Sequence, residues 1–307
     1  MVRIMNKNIR NVVTIAHKEF ADSLWSPVFL ALLVTFTLVT FVFSYQQGLA
    51  AERLSRMGGE STSVLMLGLK GISGIITWFA PLIGIALSFD AVIREQKSGS
   101  MNVLLTHPVF RDTIILGKLF GFMLTLFLVL SISAAVSVGT LLVLIGEVLS
   151  TMELTRIALY VLFTFLYVLV FLGIGVILSI VVKDAADSLV YNVTIWLCLS
   201  VVFTVIIIAF FLLSGQTLAG DIDSWGIIAK ISNISPMHHY AEVITGKTHL
   251  GWGGPGIESD IKGILDTRFT LTQWFSEFWM NLTVLIVAPI ILLIIAFIAF
   301  LRKDISI

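Results

Sequence analysis

The stretch IILGKLFGFMLTLFLVLSISAAVSVGTLLVLI, Ile114 to Ile145, holds a single charged residue, Lys118. As a helix rising 1.5 Å per residue it would run about 48 Å, well beyond the ~30 Å hydrocarbon core of a bilayer. A segment this long and apolar predicts a membrane-crossing helix with one end standing in the headgroups. The charged start, at Lys118, is the end expected to project.

Outward from it, five further runs approach or exceed the ~20 apolar residues that a crossing needs: 28–45, 72–93, 157–182, 189–213 and 278–301. The whole chain agrees, because 58% of its 307 residues are hydrophobic and 12% charged, too few polar groups to cover a water-soluble globule. The expected fold class is all-α integral membrane, with six transmembrane helices in a single domain over 1–307. A formal net charge of zero leaves no basic excess for nucleic acid. The lone cysteine, Cys198, lies in an apolar run, which excludes an intrachain disulfide and a cysteine-based metal cluster. Residues 1–27 scatter Arg3, Lys7, Arg10, Lys18, Glu19 and Asp22 among apolar positions, so no cleavable signal is expected and the first run is read as a retained anchor.

Six crossings put both termini on one side. That side carries 11 of the 19 Lys and Arg residues, in 1–27, 94–113, Lys118, Lys183 and the tail from Arg302; the other 8 spread over considerably more chain. The positive-inside rule then makes both termini cytoplasmic. Within 1–27, Ile9, Val12, Val13, Ala16, Phe20 and Leu24 recur at three- and four-residue steps, the pattern of an amphipathic interfacial helix that Pro27 ends. The 94–113 interval falls on the cytoplasmic side and the long 214–277 segment on the outer one. In that outer segment, SWGIIAKIS and PMHHYAEVITG each read as a short helix, and Trp225, Trp252 and Trp274 favour re-entrant or interfacial placement.

Few motifs suggest chemistry. Ala241 to Thr248, AEVITGKT, satisfies a loosened phosphate-loop pattern, but it lacks the first glycine and the apolar strand before it, and it falls on the outer side. His238 and His239, next to each other, point about 100° apart on a helix and read as surface or interface residues, not metal ligands. No metal or cofactor site is expected in this chain. Asp90, at the end of the second span, reads as a structural intramembrane acid paired with Arg94 four residues on. Gly117 and Gly121 in GKLFG permit close helix packing.

The run Phe89 to Gly121, FDAVIREQKSGSMNVLLTHPVFRDTIILGKLFG, places an acid at the end of the second span, then E-x-x-x-G-S, a leucine pair, P-V-x-R, an apolar pair and G-K. This pattern resembles the cytoplasmic signature of ABC-2 type transporter permeases, with Ser100 where threonine is usual. The layout is nearest the branch that includes sodium-extrusion permeases and the permease of nitrous oxide reductase maturation. The resemblance implies that Glu95, Gly99, Ser100, Met101, Leu104, Leu105, Pro108 and Arg111 form a coupling helix seated in a groove of a separate ATPase. The residues agree: Met101, Leu104 and Leu105 make an apolar stripe rimmed by Glu95, Lys97 and Arg111, and Pro108 stops the helix.

The reading that follows is a permease subunit of an exporter in a prokaryotic cell membrane, not an enzyme by itself. Its expected partners are two copies of an ATPase that binds ATP and Mg, a second permease copy, the lipid bilayer and an extracytoplasmic protein. A secondary transporter or channel without an ATPase is the alternative; it would need more charge at membrane depth than Asp90 supplies.

Overall fold

The computed structural model describes residues 2–56, 63–98, 111–146, 148–202, 205, 209, 213, 234–246 and 263–303. Among them the chain is helical: α1 (Val2–Leu24), α2 (Pro27–Arg56), α3 (Val64–Ser88), α4 (Ile93–Ser98), α5 (Arg111–Ile145), α6 (Thr151–Val181), α7 (Ala185–Leu197), α8 (Pro236–Thr245) and α9 (Leu271–Arg302). Among the described residues, five helical stretches are long and apolar enough to cross a membrane: Pro27–Arg53, Val64–Lys97, Arg111–Ile145, Thr151–Val181 and Leu271–Arg302. The protein is a multi-pass membrane protein. The sixth run, expected at 189–213, begins as α7 and passes into a π-helical turn at Cys198–Val202; most of its remainder lies outside the described residues. The SWGIIAKIS stretch lies outside them altogether.

Local sequence chemistry sets the ends. Pro27 opens α2 at the first helical position, where its missing N–H costs no hydrogen bond. Ser150 and Glu153 close a reciprocal capping box at the start of α6, and Thr270 with Gln273 does the same for α9. These caps extend the helices beyond their apolar runs. Thus α6 starts at Thr151, not 157, and α9 at Leu271, not 278; α2 also continues past 45 to Arg56, and α3 begins at Val64, before 72.

Helices α3 and α6 form the centre. They cross closely at Gly84, where an added Cβ would stand 2.8 Å from the Val168 carbonyl oxygen. A backbone atom cannot move aside, so glycine is what allows the two helices to touch. Around this pair, the outward surfaces of α2, α5 and α9 keep Leu38, Phe41, Phe127, Ile290 and Ile294 exposed, as lipid-facing helices do.

The bundle has two distinguishable ends. At the near end sit α1, α4 and Lys303, with Arg111 Nη1 donating to the Lys303 carbonyl at 3.3 Å. At the far end, Arg156 at the start of α6 donates to the carbonyls of Ile264 at 2.6 Å, Asp266 at 2.9 Å and Phe269. One buried guanidinium therefore satisfies three carbonyls of an irregular loop.

Candidate coupling site

Helix α1 lies along the first turns of α5. A Cβ on Gly117 would come within 2.6 Å of Ile15 Cβ and 3.2 Å of the Val12 carbonyl oxygen; one on Gly121 would come within 2.6 Å of Glu19 Cβ and 3.0 Å of the Ala16 carbonyl oxygen. The two glycines, one turn apart, are the bed on which α1 rests. The buried seam of α1 is therefore Ala16 and Glu19, with Ile15 half-buried, while Ile9 and Val13 from the expected apolar stripe stay exposed.

Between the glycines, Lys118 points into the bundle and is about 1% exposed. Its Nζ lies 3.0 Å from Glu19 Oε2 and 2.9 Å from Glu95 Oε1, and 5.7 Å from the centre of the Phe122 ring. All three charged side chains are buried. Burying an ammonium is costly unless it is paired, and here two carboxylates from different helices share it. Lys118 thus pins α1 and α4 to α5 at one point.

Helix α4, residues Ile93 to Ser98, carries three more ties. Lys97 pairs with Asp184, just before α7, and that hydrogen bond together with the nearby charge holds the Asp184 carboxyl below the usual aspartate range. Gln96 Oε1 accepts from Lys303 Nζ at 3.3 Å, and Lys303 also donates to the Ile180 carbonyl. Burial pushes the Lys303 ammonium below the usual lysine value. The turn before α4 is held by Ser188 Oγ, which donates to the Phe89 carbonyl at 2.6 Å. The ties of α4 and the turn before it thus reach α1 and α5 through Lys118, α7 through Asp184 and Ser188, and α9 and α6 through Lys303.

Asp90 stands in this turn, half-buried, lining a small cleft with Ser26, Phe29, Arg94 and Phe122. Its carbonyl accepts the Arg94 N–H at 3.0 Å. The expected pairing of the Asp90 carboxylate with the Arg94 guanidinium is not found among the described residues.

At the far end, α8 is almost wholly buried, wedged among α3, α6 and α9. Tyr240 stacks on Tyr167 with ring centres 4.5 Å apart, and its hydroxyl shares a 2.7 Å hydrogen bond with Thr164 Oγ1. His238 Nε2 lies 3.1 Å from Glu242 Oε1, His239 Nδ1 lies 2.8 Å from Asn281 Oδ1, and Asn281 donates to Glu242. The two histidines, expected at the surface or an interface, are buried inside the bundle, where α8 packs against α3, α6 and α9. Gly246, in the left-handed conformation with φ 70°, ends α8. A phosphate loop needs its glycine and lysine to open a helix, so AEVITGKT has the wrong polarity for one. Among the described residues no group of three or more His, Cys, Asp or Glu could hold a metal ion.

Comparison with known proteins gives this layout its family. The description of ABC-2 family transporter proteins matches residues 13–305. The chain belongs to the ABC-2 transporter family. The probable ABC transporter permease protein NosY of Pseudomonas aeruginosa is 26% identical over 223 residues, covering 73% of this chain and 79% of that protein. NosY of Stutzerimonas stutzeri is 25% identical over 226 residues, covering 74% and 80%. This chain is accordingly an ABC transporter permease, as the resemblance of Phe89 to Gly121 implied.

In this ABC-2 permease the expected coupling residues divide. Glu95 and Arg111 are brought to the same end: Arg111 donates to the Lys303 carbonyl, and Gln96, next to Glu95, accepts from the Lys303 ammonium. Gly99, Ser100, Met101, Leu104, Leu105 and Pro108 lie outside the described residues. Sequence reasoning passed over Glu19 and treated Lys118 as a headgroup-level charge. The usable signal was Glu19 itself, three residues after Ala16 on the packing face of α1, as an acid where an apolar residue belongs.

Proposed function

We propose that this chain is the permease subunit of an ATP-driven exporter whose ATP and Mg are bound by a separate ATPase. Two permease copies pair, and two ATPase copies seat against their near ends, on the cytoplasmic face of a prokaryotic cell membrane. The observation that carries this reading is the Lys118 bridge. Glu95 stands at the root of the 99–110 segment, and Lys118 ties it at once to α1 and α5. Force applied to that segment by a closing ATPase pair enters the bundle through α4 and reaches the five helices tied to it, which suits rigid-body switching between access states.

Chain parity supports six crossings. Asp184 lies at the near end beside Lys97, whereas the loop after α8 lies at the far end on Arg156, so the chain traverses the bundle between them. Ser235 Oγ, just before α8, donates to the Leu199 carbonyl at 3.0 Å, which supports a re-entrant position for α8 within the far half. The remaining outer segment is the surface an extracytoplasmic protein would meet.

The test is co-purification with the cognate ATPase, followed by ATPase and transport assays in proteoliposomes. Leu104→Asp is expected to abolish assembly or to uncouple hydrolysis from transport. Wild-type assembly and coupling in that variant, or transport driven by an ion gradient without any ATPase, would sink the proposal.

A further inference from the structure

Hydroxyl-bearing residues inside membrane helices ordinarily donate to a carbonyl one turn back on their own helix. Ser44, Thr77, Ser88, Thr125, Thr140 and Thr164 all do so here. Ser133 and Ser137 do not. Both are about 2% exposed, they lie one turn apart on the same face of α5, and neither Oγ has a hydrogen-bond partner among the described residues. A buried hydroxyl left unmatched costs more than the confinement of a water that would match it.

The two serines face a cavity enclosed by α2, α3, α5 and α6, lined also by Phe36, Leu69, Ile72, Leu130, Tyr160 and Thr164. The Tyr160 hydroxyl is likewise buried with no hydrogen-bond partner among the described residues. The space open to the centre of a water is about 20 Å³. One water needs roughly 10–15 Å³ of such space and two to four polar partners, so the cavity takes one and falls short of two. Its polar lining is hydroxyl only, with no carboxylate to balance a cation.

We propose that a single structural water occupies this cavity, hydrogen-bonded by Ser133, Ser137 and Tyr160. It joins α5 to α6, beside the Thr164 hydroxyl through which α6 holds Tyr240 of the buried helix α8. Two serines that would otherwise weaken the bundle thereby become part of its far-half framework.

The sign of a stability change decides the matter. Ser133→Ala and Ser137→Ala are made in the full chain in lipid nanodiscs, with Ser131→Ala, on the same helix but outside the cavity lining, as the control for helix propensity. If water is bound, each removes one of its partners and lowers Tm relative to the control, by about 2 °C or more for a chain of this size. If the hydroxyls have no partner, deleting them relieves an unmatched polar group and Tm rises or stays level. A cryo-EM map that resolves ordered waters should also place one density within about 3.2 Å of at least two of the three hydroxyls. A level or raised Tm in either serine variant overturns the proposal, as does the lack of that density in a map showing waters elsewhere.

Discussion

Lys118 Nζ and Glu95 Oε1 meet at 2.9 Å inside the bundle, with Glu19 on the other side of the ammonium at 3.0 Å. Removing only the lysine side chain leaves two buried carboxylates facing each other. Lys118→Ala should therefore destabilise the chain by about 3–5 kcal/mol, whereas the combined Glu19→Gln, Lys118→Met, Glu95→Gln variant should lose far less, since a buried ion pair replaced by neutral groups is often tolerated. Thermal unfolding of the purified chain measures both. The neutral triple variant is the informative one for coupling: it should fold, yet show weaker stimulation of the partner ATPase by substrate.

The apolar runs were readable because length and apolarity are local properties, and a bilayer sets one length scale for all of them. The Lys118 bridge was not readable, because Glu19 and Lys118 are 99 positions apart and each alone looks like an ordinary charge near a headgroup. The near-complete burial of helix α8 was not readable for a related reason. Its His239 and Glu242 both bond Asn281, and His238 lies against Glu242, so a stretch polar enough for the surface could be buried once a partner was supplied by α9. Capping boxes at Ser150 and Thr270 are written locally in the sequence, yet hydropathy alone is blind to them, which is why the spans came out short.

Gly121 and Glu19 set the distance between α5 and α1. Any side chain at Gly121 meets Glu19 Cβ and the Ala16 carbonyl, and overpacking of this kind costs about 1–3 kcal/mol. Gly121→Val should lift α1 from α5 and withdraw Glu19 from Lys118. With the exposed Cys198 replaced by serine, an Ala16→Cys reporter, buried in the intact seam, should be slow to react with a maleimide and react at least several-fold faster beside Gly121→Val. Equal labelling rates would show that the glycines do not hold the seam.

Asp266 anchors the far-end loop through Arg268, whose Nε and Nη2 reach its two carboxylate oxygens at 2.9 and 2.6 Å. Burial pushes the Asp266 carboxyl up, but the hydrogen bonds from Arg268, with the nearby charges of Arg268 and Lys70, hold it below the usual aspartate value. A carboxylate depressed in the folded state contributes stability that is present above its unfolded pKa and lost as pH falls through the folded one. Amide exchange across 263–269 should thus be as protected at pH 5 as at pH 7 after correction for intrinsic rates, and should loosen only below about pH 4. Asp266→Asn should bring the loosened behaviour to pH 7.

Tyr240 ties α8 to α6 in two ways that substitutions can separate. Its hydroxyl bonds Thr164 and its ring lies flat on Tyr167, with the planes 9° apart. Tyr240→Phe keeps the stack and loses the hydrogen bond, a cost of about 1 kcal/mol. Tyr240→Ala loses both and opens a cavity, a cost of about 3–5 kcal/mol. If α8 is seated mainly by the stack, the alanine variant should expose the helix to protease cleavage near Gly246 while the phenylalanine variant resists it. Comparable cleavage of both would assign the seat to the hydroxyl, and with it to the polar row that runs from Thr164 through Tyr240 toward Tyr160.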